Sequence, residues 1–365
     1  MTTSVTIDSV TKRFGDTTAV DAVSFDIAKG EFFTLLGSSG CGKTTLLRMI
    51  AGFMRQTSGH IRFGGKVIDS VPPHQRNTGM VFQNYAIFPH LTVFDNIAYG
   101  LRARRRGKAE IEREVRRMLD LVRLGHLAHR RPRELSGGQQ QRVVLARAMV
   151  IQPDVLLMDE PLSNLDTEMR MHLRSEIRSL QRQVGVTTIY VTHDQEEALL
   201  MSDRIAVMSR GRVEQLDVPH RIYAEPRTLF VAGFIGENNL LPGAVLGRAA
   251  DGSAIIELAG GGRLRAASAA AEDGRACIVS IRPQDIDIGD AARLPAGDEP
   301  ALGGTVDDIQ FLGGAVKLVV DIGVDRPLTV SLPGRRDMAM PTIGSALRLS
   351  VPAHAVRIFN PEAGA

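Results

Sequence analysis

Residues 37–44 read Gly37, Ser38, Ser39, Gly40, Cys41, Gly42, Lys43 and Thr44, a G-x-x-x-x-G-K-T spacing with a specific chemical use. The glycines let consecutive backbone N–H groups turn toward one centre and make a nest for phosphate oxygens. An apolar run, 31–36, precedes the loop, and a helical stretch that opens at Thr45 comes after it. The positive end of that helix adds to the nest. In this setting Lys43 reaches the β- and γ-phosphates of a nucleoside triphosphate, and the Thr44 hydroxyl ligates Mg2+. A plain Gly-rich turn would need neither side chain.

The second half of such a site lies at 155–160. An apolar run ends in Asp159, placed to hold Mg2+, and Glu160 comes directly after it. Two acids after a strand are by themselves a common helix cap. Paired with the phosphate loop, they complete a hydrolytic site in which Glu160 accepts a proton from the attacking water. The rest of phosphoryl transfer is positioning and charge neutralisation by Lys43, Mg2+ and the loop amides. Between the two halves, Leu135, Ser136, Gly137, Gly138, Gln139, Gln140, Gln141 and Arg142 open a further helix. Ser136 is a good N-cap, and the glycines again leave amides free for an anion. One nucleotide has little use for two nests in one chain, so this second loop is expected to serve the nucleotide of another subunit. Cys41, inside the first loop at a helix N-terminus, sits where thiols are activated, and alkylation against which ATP protects is expected there.

These residues require a scaffold. The runs 155–158 and 188–191 read as strands buried on both faces. Between them, Met169, Leu173, Ile177 and Leu180 recur at helical spacing. Strand, helix, strand in that order points to an α/β core. A second amphipathic helix, 108–124, carries Ile111, Val115, Met118, Leu119 and Val122 on one stripe, beside a basic run of Arg102, Arg104, Arg105, Arg106 and Lys108 read as a solvated face. After about residue 240 the helical patterns give way to short alternating runs at 254–258, 276–281, 316–322 and 347–351. Turns are expected at Gly260 to Gly262, Gly303-Gly304 and Gly313-Gly314, as in a small β-sandwich or barrel. The stretches 278–288 and 347–359 echo each other as strand, proline, strand, which leaves chance and duplication both open.

Composition narrows the function classes. A chain of 365 residues exceeds one ordinary core and implies two or three domains. Hydrophobic residues at 44% and charged residues at 23% are globular values, which excludes a mainly disordered or fibrous chain. No stretch approaches the roughly 18–20 apolar residues of a membrane span, and no secretory signal is visible at the start. Two cysteines make no disulfide framework, so a reducing, cytosolic setting is expected. A net charge of +3, without a basic stripe, argues against nucleic acid as a partner.

The 135–142 octet resembles the signature of ATP-binding cassette (ABC) ATPases, and other cassette elements appear in the order that family shows. Phe14 matches the aromatic that stacks on adenine, and Gln83 the loop glutamine that senses Mg2+ and the membrane partner. Ser163, Asn164, Leu165 and Asp166 resemble the D-loop, and His193 the switch histidine that contacts the γ-phosphate. The resemblance covers residues 3–235. It implies an α/β P-loop NTPase, an ABC cassette with a helical subdomain at about 84–150, over residues 1–236. It also implies a homodimer that sandwiches two ATP molecules, with Mg2+, between one subunit's loop and the other's Ser136, Gly137, Gly138 and Gln139.

A single phosphate loop, no long insertion between Gln83 and Ser136, and no membrane span together favour an importer subunit over cassettes of translation, repair or export. The tail, 237–365, with the junction before it, carries FIGENN at 234–239, SIRPQDI at 280–286 and FLGG at 311–314. It resembles the small all-β, OB-like TOBE domain of importers of polyamines, ferric iron, sugars, sulfate and phosphonates, with roles in dimerisation and regulation. Residues 85–93 resemble the segment on which a cytoplasmic helix of the membrane subunit docks; a buried loop of the helical subdomain is the other reading. The resemblance implies two integral-membrane permease subunits, an indirect link to an extracytoplasmic solute-binding protein, and a peripheral place on the cytoplasmic face of the inner membrane. A polyamine such as spermidine or putrescine ranks first as solute, then ferric iron or 2-aminoethylphosphonate. The alternative function is a cassette ATPase without a membrane partner, in regulation or nucleic-acid metabolism.

Overall fold

A computed structural model describes residues 2–267, 274–290, 302–335 and 340–361 of the chain. Two compact units are formed, Met1–Glu225 and Pro226–Ala365. The division falls before residue 236 because the helix Leu229–Phe234 is tied to residues on its C-terminal side. Asn238 Nδ2 donates to the carbonyl of Ala232 at 2.7 Å, and Arg282 donates to the carbonyls of Ile235 and Glu237.

The first unit is built on a six-stranded sheet in the order Arg212–Asp217, Arg204–Ser209, Phe32–Leu36, Thr187–Thr192, Val155–Asp159, Thr78–Val81. All neighbours are parallel except the first pair. Phe32–Leu36, Val155–Asp159 and Thr187–Thr192 are buried at every residue, which is why none of them alternates between an apolar and a polar face. The register sets Leu36 beside Thr192, Val191 beside Asp159, and Met158 beside Val81, so four parallel strands end level with one another. The carboxyl end of a parallel sheet is where such folds place ligands. An antiparallel sheet of Val5–Phe14, Thr17–Ile27, Ser58–Phe63 and Lys66–Val67 accompanies it.

Three helices, Val93–Ala103, Lys108–Leu121 and Gly137–Met149, share a core with the helix Thr167–Val184. The expected stripe Ile111, Val115, Met118 and Leu119 is the buried face of Lys108–Leu121. The arginine run is exposed at every residue, as expected of a solvated face, and several of its charges find local partners. Arg102 pairs with Asp95 at 2.7 Å, Arg106 with Glu110 at 3.6 Å, and Arg104 donates to Asn77 Oδ1 at 2.7 Å and to the carbonyl of Ile151.

The second unit has two five-stranded antiparallel sheets around one core. The two echoing stretches occupy matching places. Ala276–Ile281, a 3-10 turn at Pro283–Asp285 and Asp287–Asp290 lead from one sheet into the other; Ala346–Ser350, the turn Ala353–Ala355 and Arg357–Phe359 lead back. Strand Arg357–Phe359 pairs with Ala276–Ile281, and Asp287–Asp290 with Ala346–Ser350. Each stretch therefore gives one strand to each sheet. The expected turn at Gly303-Gly304 is instead part of the strand Leu302–Phe311. Gly304 serves close packing there: a Cβ would lie 2.5 Å from Val320 Cγ1.

Candidate nucleotide-binding and hydrolysis site

The phosphate loop joins the strand Phe32–Leu36 to the helix Lys43–Ala51. Its glycines answer to space as well as to dihedral angle. Gly42 has φ 107°, and a Cβ there would stand 2.4 Å from the carbonyl oxygen of Ala19; one on Gly37 would stand 2.3 Å from that of Met208. No other residue fits at either place without shifting backbone. Lys43 is 4% exposed, and its Nζ donates to the carbonyls of Gly37 at 2.7 Å and Ser38 at 2.8 Å, so the ammonium is held inside the loop. Ser38, Ser39 and Gly40 are exposed, while Thr44 and Thr45 lie half-buried in the first turn. Cys41 is also inside, 4% exposed, with Sγ 3.7 Å from Lys43 Nζ. The thiol expected to be open to alkylation is thus packed away, because the side chain turns inward toward Gly37.

Thr44 and Asp159 meet across the sheet: the Thr44 hydroxyl donates to Asp159 Oδ1 at 3.0 Å. Burial pushes the Asp159 carboxyl up from the ordinary aspartate range, opposed by the hydrogen bond from Thr44 and by the charge of Arg48. A buried carboxylate beside a hydroxyl is an all-oxygen donor pair that gains from a small hard cation. No group of three or more His, Cys, Asp or Glu side chains capable of holding a metal exists among the described residues. The Thr44 hydroxyl and the Asp159 carboxylate would suit Mg2+, which protein sites hold through one or two side chains, leaving the rest to water and phosphate.

Glu160 begins the turn after the strand with φ 44°, and its N–H donates to the carbonyl of Val191 at 3.0 Å. Its carboxylate lies 3.0 Å from His193 Nδ1. His193 itself comes just after the neighbouring strand and is half exposed. Behind it, a network not anticipated from the sequence fixes the turn. Asp194 caps the helix Gln195–Met201 by accepting from Glu197 N at 3.0 Å, and it receives Arg174 at 2.9 Å and Arg170 at 3.5 Å. Glu197 is buried, accepts from Tyr190 and Thr192 at 2.7 Å each, and has its carboxyl pushed up by burial. Arg170 and Arg174 are four apart on one helix, a repeat that could have flagged a shared acidic partner.

Gln83 lies beyond Val81 on an exposed loop, and its carbonyl accepts from Asn164 Nδ2 at 2.9 Å. Phe14 ends the strand Val5–Phe14, is 48% exposed, and carries Lys12 Nζ 4.9 Å from its ring centroid. It shares a hairpin with Ala19, the residue packed against Gly42. The loop at 37–45, Asp159, Glu160 and His193 are therefore gathered at one end of the sheet, with Gln83 linked in through Asn164.

Ser136, Gly137, Gly138 and Gln139 stand apart from that cluster: no hydrogen bond or ion pair joins them to residues 37–45 among the described residues. Ser136 Oγ accepts from Gln139 N at 3.3 Å, and Gln139 Oε1 accepts from Ser136 N at 3.0 Å, a reciprocal cap. Asp166 caps the helix Thr167–Val184 through Met169 N at 2.9 Å. Both caps line one cavity of about 490 Å³ with Arg142, Met169 and His172. Its glycines are tightly backed, since a Cβ on Gly138 would be 3.0 Å from Met169 Sδ.

The geometry agrees with the comparisons. Residues 20–163 match the ABC transporter family and 279–359 the TOBE domain. The chain is 46% identical over 330 residues to the spermidine/putrescine import ATP-binding protein PotA of Thermobifida fusca, covering 89% of this chain and 85% of that protein. It is 53% identical over 260 residues to the Fe(3+) ions import ATP-binding protein FbpC of Fusobacterium nucleatum, covering 71% and 68%. Among solved structures it resembles cbiO1 of Clostridium perfringens, part of the ABC transporter complex cbiONQ. That match has a TM-score of 0.57 and 29% identity, and covers 60% of this chain and 90% of that one.

Proposed function

Because the chain belongs to the family of ABC import ATP-binding proteins and hydrolyses ATP, we propose that it energises uptake of a polyamine such as spermidine or putrescine. The observation that supports the hydrolytic reading is the convergence of Thr44, Asp159, Glu160 and His193 at the ends of adjacent parallel strands. Adenine stacks on Phe14, and the phosphates lie in the amides of residues 37–45 with Lys43 beside them. Thr44, Asp159 and Gln83 would hold Mg2+, which would supply charge neutralisation at the phosphates. Glu160 takes a proton from water as its oxygen bonds to the γ-phosphorus and the bond to the β-phosphate oxygen breaks. His193, oriented by Glu160 and by the Asp194 turn, donates to the γ-phosphate. Each site is completed by Ser136, Gly137, Gly138 and Gln139 of a second copy, with Asp166 at the seam, which accounts for an anion-binding cap so far from its own loop.

Permease subunits in the membrane are the partners, docked on residues 85–93, and a solute-binding protein acts through them. Among the described residues no helix is long and apolar enough to cross a membrane, so translocation falls to those separate chains. The polyamine ranks ahead of ferric iron and 2-aminoethylphosphonate because relatives named for spermidine and putrescine align over most of both chains. Reconstitution with its permeases in vesicles tests this. ATPase activity should rise with a spermidine-loaded binding protein and not with an iron-loaded one. Stimulation by iron alone would reassign the solute, and failure to engage any permease would favour a cassette ATPase without a membrane partner.

A further inference from the structure

The loop that carries Gln83 contains the least comfortable backbone near the site. Tyr85 has φ 61° and Ala86 φ 45°, two consecutive non-glycine residues in the left-handed region. The Tyr85 hydroxyl is buried without a hydrogen-bond partner, so it does not anchor the segment. Asn96 fixes the far end, accepting from the Phe88 N–H at 3.0 Å and donating to its carbonyl at 3.1 Å, and the two left-handed residues themselves are held by Arg147. Its Nη1 donates to the carbonyl of Ala86 at 2.9 Å and its Nη2 to that of Tyr85 at 3.2 Å. Its guanidinium carbon stands 4.8 Å from the ring centroid of Phe88. One planar fork thus holds both left-handed peptides and the next aromatic, a geometry that a lysine cannot reproduce.

Arg147 belongs to the helix Gly137–Met149, whose first turn is the Ser136 cap. On the other side, Asn164, two residues before Asp166, holds the carbonyl of Gln83. We propose that Arg147 is a positioning residue: from the helix that begins at the Ser136 cap, it holds the strained Tyr85–Ala86 backbone and so keeps Gln83 where Mg2+ is bound. Strained backbone persists only where its surroundings over-determine it. Releasing the fork lets both residues relax toward negative φ and carries Gln83 away. The inference rests on the proposed role of Gln83.

The test compares Arg147→Gln, Arg147→Lys, Gln83→Ala and the double variant Arg147→Gln with Ala86→Gly in the full chain. Glycine takes positive φ without a Cβ penalty, so Ala86→Gly removes part of what Arg147 must hold down. Arg147→Gln should raise the Mg2+ concentration for half-maximal ATPase about tenfold, as loss of a group supporting a metal ligand does. The KM for ATP at saturating Mg2+ should change little, and amide exchange over 83–88 should quicken. Arg147→Lys should fall between, and Ala86→Gly should recover much of the Mg2+ response. Unchanged Mg2+ dependence and unchanged exchange in Arg147→Gln would overturn the inference. So would a uniform loss of all parameters that Ala86→Gly fails to restore. Should Arg147→Gln not fold, Arg147→Lys with and without Ala86→Gly decides by the same readouts. If Gln83→Ala is silent, the magnesium role of Gln83 fails, and Arg147 is judged on exchange at 83–88 alone.

Discussion

His193 Nδ1 and Glu160 Oε2 are 3.0 Å apart, although the residues lie at the ends of different strands and Glu160 adopts φ 44° to make the approach. For a non-glycine residue that conformation costs about 1–2 kcal/mol. The amide of Glu160 is fixed to the carbonyl of Val191, on the strand that leads to His193, so base and imidazole are set by one short stretch of sheet. With Glu160 ionised, as a base requires, the contact is a hydrogen bond when Nδ1 bears the proton, and it then orients the ring.

Glu160→Gln keeps the shape and a polar partner for His193 but cannot accept a proton. Turnover should fall about 10²–10⁴-fold, the usual worth of a general base, with ATP binding retained. An ATP-loaded dimer should accumulate, visible by size-exclusion chromatography. A variant that stays monomeric and turns over like the wild type would remove Glu160 from the role of base.

Phe14 offers a direct reporter, because the chain contains no tryptophan. Phe14→Trp places a single indole at a position that is 48% exposed, with Lys12 near the ring. ATP should change its fluorescence, and GTP should do so less. Phe14→Ala should raise the KM for ATP about tenfold, since base–aromatic stacking is worth about 1–3 kcal/mol. An indole blind to ATP would show that the base lies elsewhere.

The cassette was legible because its chemistry is local in sequence: strand, nest, lysine and hydroxyl lie within one stretch, and the buried strands read as unbroken apolar runs. What stayed hidden depends on pairs far apart in the chain. Arg174 and Asp194, or Arg147 and Ala86, look like ordinary helix and loop residues until the fold closes. The Gly303-Gly304 turn misled because glycine marks both a bend and a close approach, and only the neighbouring strand distinguishes them. Cys41 misled because a helix N-terminus says nothing about which way a side chain turns.

Cys41 should accordingly resist modification in the folded protein. Burial at 4% exposure, with Gly37 packed against the sulfur, leaves a reagent little access. Iodoacetamide should label Cys41 slowly under native conditions and rapidly in denaturant, as read by peptide mass spectrometry. Fast native labelling that ATP blocks would restore the accessible thiol expected from the sequence.

Asp159 links the chemistry to stability. Burial raises its carboxyl in the folded state above the unfolded value, so the folded protein holds the proton to higher pH. Between the unfolded and the raised folded value the native state binds more protons than the unfolded one. This group's contribution to stability therefore falls as pH rises through that window, and above it the folded state carries an ionised buried carboxylate at full cost. Asp159→Asn keeps an acceptor for the Thr44 hydroxyl and removes the charge. At pH 8, without nucleotide or Mg2+, it should melt above the wild type in a thermal unfolding scan. The gain should shrink as the pH is lowered toward 4. Added Mg2+ and ATP should reverse the order, because only the carboxylate gains from the cation, and turnover in Asp159→Asn should be largely lost. A variant that melts below the wild type at pH 8 would mean that the charge of Asp159 is already compensated within the protein.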